Sequence, residues 1–275
     1  MIASMFIRRW LLATLLVVAA AAVMIRLGIW QLDRLQQRQA FNARVLAQTT
    51  QPPLDLTGAN LSEDLTGMEY RAVVVNGEYA ESGEIALRNQ YWNNEWGVHL
   101  ITPLRILGSD QVVLVDRGWI PGADYQTGDW TKFAEPGQVT VQGVIRSSQS
   151  KAELGKRSDP TPAPGEPPLV TWNFVNIPRL EEQIEAPLLP IYIQQAPDPS
   201  WTGLPRRSEP DLELTEGSHM SYAIQWFLFT AILVIGYPFY IQRQEQKRAV
   251  KKVIPARLND PLVVPQVIVD QDKPS

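Results

Sequence analysis

An uncharged run of 22 residues, Met220–Ile241, limits the folds open to this chain more than any other feature. A helix rises about 1.5 Å per residue, so a run of this length covers roughly 33 Å. That length matches the hydrocarbon core of a bilayer, which is about 30 Å thick. The run begins beside His219, one of only 2 histidines in the chain, and is followed by a basic stretch. We therefore predict a membrane-spanning helix over residues 220–241.

One face of this predicted helix carries polar and aromatic side chains where the helix enters the membrane. His219, Tyr222, Ala223 and Trp226 follow one another at i, i+3, i+4 and i+7, which places them on the same face. Such a face suits a flat aromatic ligand. It equally suits anchoring at the membrane surface, because Tyr and Trp are enriched at that depth. The spacing leaves both interpretations open.

A second apolar run, Trp10–Ile25, lies near the N-terminus. Counted through Ile29 it has 20 residues, which would span about 30 Å as a helix, and Arg26 can extend its side chain to the headgroups. We predict an uncleaved transmembrane helix over residues 10–29. The alternative is a cleavable signal peptide, because Arg8 and Arg9 precede the run and the small residues 19–22 offer cleavage sites.

The charges are divided between the middle of the chain and its ends. The chain has 25 basic residues (Lys and Arg) and 29 acidic residues (Asp and Glu). Of these, 15 basic and 25 acidic residues lie within 31–218. Basic ends predict a cytoplasmic N-terminus, 1–9, and a cytoplasmic, disordered tail, 242–275. Residues 30–219 are then extracytoplasmic. The middle has no basic stripe, which argues against nucleic-acid binding. The lack of an Arg- and Ser-rich leader favours a bacterial plasma membrane.

The segment between the two spans has the pattern of a β-rich domain. Short runs of alternating or continuous apolar residues predict strands. Asn76-Gly77 predicts a hairpin turn. A short helix is expected within 173–184, with Pro178 in its first turn. We expect one antiparallel barrel or sandwich. The predicted strands are 70–75, 84–88, 97–104, 111–117, 139–146 and 189–194.

The sequence lacks most of the motifs that would indicate an enzyme. It contains no cysteine, no phosphate-binding glycine loop and no metalloprotease helix. His99 lies within a strand candidate, and we expect it to be a partnered structural residue. Two other classes of protein stay open: a membrane-anchored receptor or scaffold that binds a protein partner, and a membrane-tethered hydrolase that uses carboxylates.

Three short motifs follow one another along the chain. The first, GIWQLDRL, follows the first span, and the second, VLVDRGWIP, lies in a predicted central strand. The third, HMSYAIQWF, opens the second span. In this order they resemble the surfeit-locus-one family of cytochrome c oxidase assembly factors, which commonly has Asn where Asp116 stands. The resemblance covers about residues 24–242, and its three motifs are 28–35, 113–121 and 219–227.

The resemblance implies a protein without catalytic activity that binds or guides haem a for insertion into the main oxidase subunit. It also implies the haem a synthesis machinery and the lipid membrane as partners. His219 corresponds to the suggested ligand of the haem iron. For Arg117 the sequence leaves two roles open: an ion pair with a haem propionate, or hydrogen bonds that hold a turn. For Trp119 the two open roles are contact with a ligand and packing in the core. The residues taken over as candidate haem contacts are His219, Tyr222, Trp226, Trp30, Gln31, Arg34, Arg117 and Trp119.

Overall fold

The computed structural model describes residues 7–150, 158–162, 166–184 and 186–258. The chain divides into two compact units. One comprises residues 1–39 and 215–275, and the other comprises residues 40–214.

Two long helices dominate the first unit. Helix α1 is Arg8–Thr49 and the C-terminal helix, α4, is His219–Leu258. By length and composition, both are able to cross a membrane. Helix α1 extends well beyond the predicted span 10–29 and runs without interruption to Thr49. No proline interrupts it, and its second half is rich in Leu, Gln and Arg, which are good helix formers.

The two helices pack side by side in opposite directions. A Cβ atom on Gly28 would lie only 2.7 Å from Cε1 of Phe227, so the absence of a side chain there admits the ring. Near the other ends of the helices, the hydroxyl groups of Thr14 and Tyr237 lie 2.9 Å apart. Trp10 donates a hydrogen bond of 2.8 Å to Glu245. Small residues and paired polar groups of this kind hold apolar helices together where the surroundings offer no hydrogen bonds.

The tail differs from the sequence-based expectation. Helix α4 continues through Leu258, so residues 242–258 are helical rather than disordered. Arg9 of α1 forms an ion pair with Glu245 of α4 at the start of this continuation. The rest of the predicted tail, 259–275, lies outside the described residues.

The second unit is built on a closed β-barrel. The strands are β1 Leu54–Asp55, β2 Ala72–Tyr79, β3 Ile85–Trp92, β4 Glu95–Ile106, β5 Val112–Pro121, β6 Gln138–Ser147, β7 Thr171–Trp172 and β8 Leu188–Gln195. Five of them follow one another around the barrel in the order β2, β6, β8, β5 and β4, and pairing of β4 with β2 closes it. Strand β3 pairs with the first half of β4, and the short strands β1 and β7 lie at the edges of the sheet.

Apolar side chains fill both faces of the central strand. Nine of the ten residues of β5 are buried, as is typical of a nearly continuous apolar strand that is covered on both faces. Alternate residues such as Val113 and Val115 pack inside the barrel. Val112 and Leu114 face the other way and pack against helix α3, Ile177–Ile184. A shorter helix, α2, Gly122–Gln126, follows β5 directly.

Two details of the predicted sheet are wrong. Asn76-Gly77 is not a hairpin turn but lies inside β2, where Gly77 pairs with Ile106 of β4 and with Val139 of β6. A Cβ atom on Gly77 would lie 2.3 Å from the carbonyl oxygen of Arg105, so the glycine allows β4 to close the barrel. The sheet is also not purely antiparallel, because the pairs β5–β8, β1–β2 and β3–β7 are parallel.

Candidate functional site

The first and third sequence motifs meet in the helical unit. Nδ1 of His219, at the first position of α4, lies 2.8 Å from Oε1 of Gln31 in α1. The two residues are 188 positions apart in the chain. The side chains of both are half-buried. This contact brings together two residues that the sequence had assigned to the same candidate site.

The contact determines which nitrogen of His219 can serve as a ligand. An amide oxygen only accepts hydrogen bonds, so Nδ1 carries the proton and donates it to Gln31. In a neutral imidazole the other nitrogen, Nε2, then carries the lone pair. Metal-binding histidines are commonly held in this way by a partner that binds the second nitrogen. His219 is therefore arranged as a potential metal ligand through Nε2.

The remaining candidate residues of this unit differ in exposure. Tyr222 is 49% exposed and Trp30 is 42% exposed, whereas Trp226 is half-buried. Ala223, which shares the face of His219, is 1% exposed. The predicted face is thus divided: Ala223 is packed inside the unit, while the ring of Tyr222 is exposed.

The charge of Arg34 is placed beside one of these rings. Its guanidinium carbon lies 5.6 Å from the centre of the Trp30 ring, and its Nη1 atom donates a hydrogen bond of 3.0 Å to Gln37. The side chain of Arg34 is exposed. It remains available to an anionic group of a ligand.

Arg117 occupies a different environment, inside the β domain. The register of β4 and β5 shifts so that Gly118 pairs with Leu100 and Asp116 with Ile101, which leaves Arg117 as the extra residue of a β-bulge. Such a bulge redirects a side chain. The Arg117 side chain is 1% exposed and stacks over the ring of Tyr79 at 4.8 Å.

Buried acceptors satisfy the terminal nitrogens of Arg117. Its Nη1 donates to Glu84 at 3.0 Å, and its Nη2 donates to Glu135 at 3.0 Å and to the carbonyl oxygen of Phe133. These partners argue against a pairing of Arg117 with a haem propionate, because two carboxylates already neutralise the guanidinium. The alternative, an arginine held by internal acceptors, describes the structure better.

Burial changes the acid–base behaviour of this cluster. It raises the pKa of Glu84, and the hydrogen bond from Thr102 and the charge of Arg117 offset only part of that effect. A buried carboxylate is costly to ionise without a counter-charge. Arg117 therefore acts as the internal counter-ion of Glu84 and Glu135.

Trp119 is part of the core. It is 2% exposed, its ring lies 6.5 Å from that of Trp92, and a Cβ atom on Gly97 would lie 2.4 Å from its Nε1. Its main chain exchanges two hydrogen bonds with Arg206. The interpretation of Trp119 as a packing residue is favoured, because so little of its surface is accessible to a ligand.

His99 has a charged partner, in agreement with the expectation of a structural role. Its Nδ1 lies 2.9 Å from Oδ2 of Asp116 on the neighbouring strand. Burial alone would lower the pKa of His99, but the charge of Asp116 and the hydrogen bond to it outweigh burial and raise that pKa. Asp116 also accepts a hydrogen bond from the amide of Gly118 and so stabilises the bulge.

Sequence reasoning missed the carboxylates Glu84 and Glu135. The only signal was indirect: Asp116 and Arg117 introduce two charges into an otherwise apolar strand, and buried charges require partners. With 29 acidic residues in the chain, that requirement does not indicate which ones fold against the strand.

Comparison with known proteins agrees with the motifs. The model of the SURF1 family matches residues 18–231, which is most of the chain. The chain belongs to the SURF1 family. The match includes both halves of the Gln31–His219 contact as well as the strand that contains Arg117. The family is known as one of oxidase assembly factors and not of catalysts.

Relatives align along most of their length. A SURF1-like protein of Monosiga brevicollis is 25% identical over 242 residues, covering 84% of this chain and 88% of the relative. A SURF1-like protein of Rickettsia conorii is 28% identical, covering 83% and 90% respectively. Surfeit locus protein 1 of Xenopus tropicalis is 22% identical, covering 73% of this chain and 66% of the relative.

Proposed function

We propose that this SURF1 protein assists assembly of a haem–copper cytochrome c oxidase by binding haem a and guiding it to the main oxidase subunit. The observation that supports this most is the hydrogen bond between His219 and Gln31, because it leaves Nε2 of the histidine available as an axial ligand. Haem iron accepts a neutral imidazole in that role. The partners would be the main oxidase subunit and the proteins that make haem a.

The residues beside His219 fit the chemistry of a haem. Exposed rings of Trp30 and Tyr222, with Trp226, supply apolar surface for a macrocycle. Arg34 supplies a positive charge for a propionate, because guanidinium and carboxylate groups form strong paired hydrogen bonds. When bound, the haem would supply an iron centre; the protein would supply the ligand, the apolar walls and the counter-charge.

The same proposal places the chain in the plasma membrane. Helices α1 and α4 would span it, with both basic ends in the cytoplasm and the β domain on the outer side. In this arrangement the contact between Gln31 and His219 lies near the outer surface of the membrane. A ligand could then pass from the bilayer to a partner without crossing water.

The experiment is a reduced-haem absorbance spectrum of the detergent-purified protein after co-expression with haem a synthesis. Three forms are compared: the native chain, His219→Ala, and Ser221→Ala as a control at an exposed position of the same helix. We expect haem a in the native and Ser221→Ala proteins and little in His219→Ala. The physical reason is that loss of the imidazole removes the proposed axial ligand of the haem iron.

Other outcomes would change the proposal. Equal haem a in all three proteins would show that His219 is not the ligand, and His99 would be tested next. No haem a in any of them would contradict stable binding and favour a membrane-anchored scaffold that works through protein contacts alone.

A further inference from the structure

A cavity of about 550 Å³ lies in the β domain, with the buried Arg117 in its lining. The turn before β3 supplies Glu81 and Glu84 to its lining, and α2 with the segment that follows supplies Tyr125 and Trp130. Val170 and Thr171 complete one side. The proposed haem site does not use any of these residues.

The charged groups that the cavity offers to a ligand are carboxylates, because the one arginine in its lining is already paired. Arg117 lines the cavity, but its terminal nitrogens are bound to Glu84, Glu135 and a main-chain carbonyl. Glu84 is different, because both of its hydrogen bonds, from Thr102 and Arg117, go to Oε2. Among the described residues, no donor is bound to its Oε1. One carboxylate oxygen of a side chain that is only 9% exposed is thus left for a ligand.

The wall of the cavity is aromatic and held in place. The rings of Tyr125 and Trp130 stack with their centres 6.0 Å apart, and Trp96 packs edge-on against Tyr125 at 6.0 Å. The hydroxyl group of Tyr125 lies 3.1 Å from that of Thr171. These contacts fix the rings before any ligand arrives, so little ordering cost remains for binding.

We propose that this cavity binds a lysine or arginine side chain presented by a partner polypeptide. The inference goes beyond the proposed function and does not depend on haem binding. Glu84 and Glu81 would face the positive charge, and the rings of Tyr125 and Trp130 would contact the rest of the side chain. The cation would donate a hydrogen bond to Oε1 of Glu84, the oxygen to which no other donor is bound among the described residues.

The preference for a cation follows from the charges. An anion would meet Glu81 and Glu84 and would find the Arg117 guanidinium already occupied. A cation gains from the partly desolvated carboxylate, and aromatic faces attract it as well. Burial raises the pKa of Glu84, because the hydrogen bond from Thr102 and the charge of Arg117 offset only part of the desolvation of its carboxylate.

A polypeptide source fits the surroundings of the cavity. Val170 on its lining is 53% exposed, so an apolar side chain of a partner would find a contact beside the cavity. Residues 31–218 carry 25 acidic against 15 basic side chains. Such an excess of negative charge would attract a basic partner segment and speed its association.

The test is calorimetric titration of the full chain in detergent with three probes. The first is an acetylated, amidated Gly-Arg-Gly peptide. The second replaces arginine by citrulline, which has nearly the same shape and no charge, and the third is spermidine. We expect binding of the arginine peptide and at least about tenfold weaker binding of the citrulline peptide, because loss of one charge-assisted hydrogen bond is worth that much.

Variants locate the site. Glu84→Gln should weaken binding of the arginine peptide about tenfold by removing the facing charge. Because Glu84 also pairs with Arg117, this variant is accompanied by Trp130→Leu, which leaves the ion pairs intact, and by Glu81→Gln at the exposed edge. Glu78→Gln, an exposed Glu→Gln change on β2 that does not line the cavity, is the matched control and should bind normally.

Three results would overturn the proposal: equal affinity for the arginine and citrulline peptides, unchanged affinity in both Glu84→Gln and Trp130→Leu, or an equal loss in Glu78→Gln. Binding of spermidine without binding of the peptide would overturn the polypeptide source, since the same chemistry would then serve a free polyamine. None of these measurements involves haem, so their failure is distinguishable from failure of the proposed function.

Discussion

Gln31 accepts a hydrogen bond from Nδ1 of His219 across 2.8 Å, and so determines which nitrogen of the imidazole is free. Gln31→Leu removes the acceptor at nearly constant size. We expect this variant to bind haem a about tenfold more weakly, because loss of a residue that orients a metal ligand typically costs 10- to 100-fold in affinity. The measurement is a titration of the purified protein with haem a, followed by absorbance.

The control for this prediction is Gln36→Leu, the same change at an exposed position of the same helix. It should bind as the native protein does. If Gln31→Leu and the native protein bind haem a equally, Gln31 has no positioning role, whereas the role of His219 is tested separately by His219→Ala.

Gly28 lets Phe227 pack against helix α1. A Cβ atom at residue 28 would lie 2.7 Å from the ring, so Gly28→Ala should destabilise the helix pair by about 1 kcal/mol, as overpacking does. Gly236→Ala is the control, because nothing lies within 4 Å of its Cβ position. It should be neutral or stabilising, since alanine favours helix. Thermal unfolding in detergent would measure both.

A second substitution shows whether Phe227 is the cause. In a Phe227→Ala background the ring is absent, so Gly28→Ala should lose its destabilising effect. An undiminished effect in that background would contradict the packing explanation.

Arg117 compensates two part-buried carboxylates of the β domain, Glu84 and Glu135. Arg117→Met leaves Glu84 and Glu135 without their shared cation, although Arg207 still contacts Glu135 at 3.2 Å. We expect a loss of about 3–5 kcal/mol in the free energy of unfolding of the β domain, the usual result of breaking a buried ion pair. Urea unfolding of the full chain, followed by tryptophan fluorescence, would measure it.

Arg105→Met, at an exposed position of β4, is the matched control and should cost little. Folded Arg117→Met protein should keep its haem a content, because the structure gives the guanidinium internal partners. Haem a loss from protein that is still folded would revive the hypothesis of a propionate contact.

The pair of His99 and Asp116 should make stability depend on pH. The pKa of His99 is raised in the folded protein, because the charge and hydrogen bond of Asp116 outweigh burial. Its contribution is therefore fully present below the unfolded pKa of about 6.5 and is lost as pH rises through the higher folded value. His99→Gln should then destabilise the β domain more at about pH 5 than at about pH 9.

Unfolding of the native and His99→Gln proteins at both pH values tests this expectation. His219→Gln, a change of the only other histidine, is the control and should leave the pH dependence of β-domain unfolding unchanged. A larger effect of His99→Gln at the higher pH would reverse the assigned sign and contradict the role of Asp116.

The parts predicted correctly from sequence depend on local patterns. The uncharged run 220–241 and the apolar run that starts at Trp10 both lie in helices, because composition over about 20 residues is enough to indicate a helix of that kind. The strands and helix α3 follow from short apolar periods. The prediction of a turn at Asn76-Gly77 was wrong because a glycine after an asparagine is typical of a hairpin turn, but a glycine is also needed inside a strand where another strand approaches closely.

The sequence by itself determined the two apolar helices, the strand-rich middle and the three motifs that indicate the family. Only the tertiary structure decided that Gln31 meets His219, that Glu84 and Glu135 neutralise Arg117, and that β4 closes the barrel over Gly77. Local patterns follow from properties of neighbouring residues. The contacts follow from the packing of segments far apart in the chain, where a buried charge or hydrogen-bonding group must find its partner.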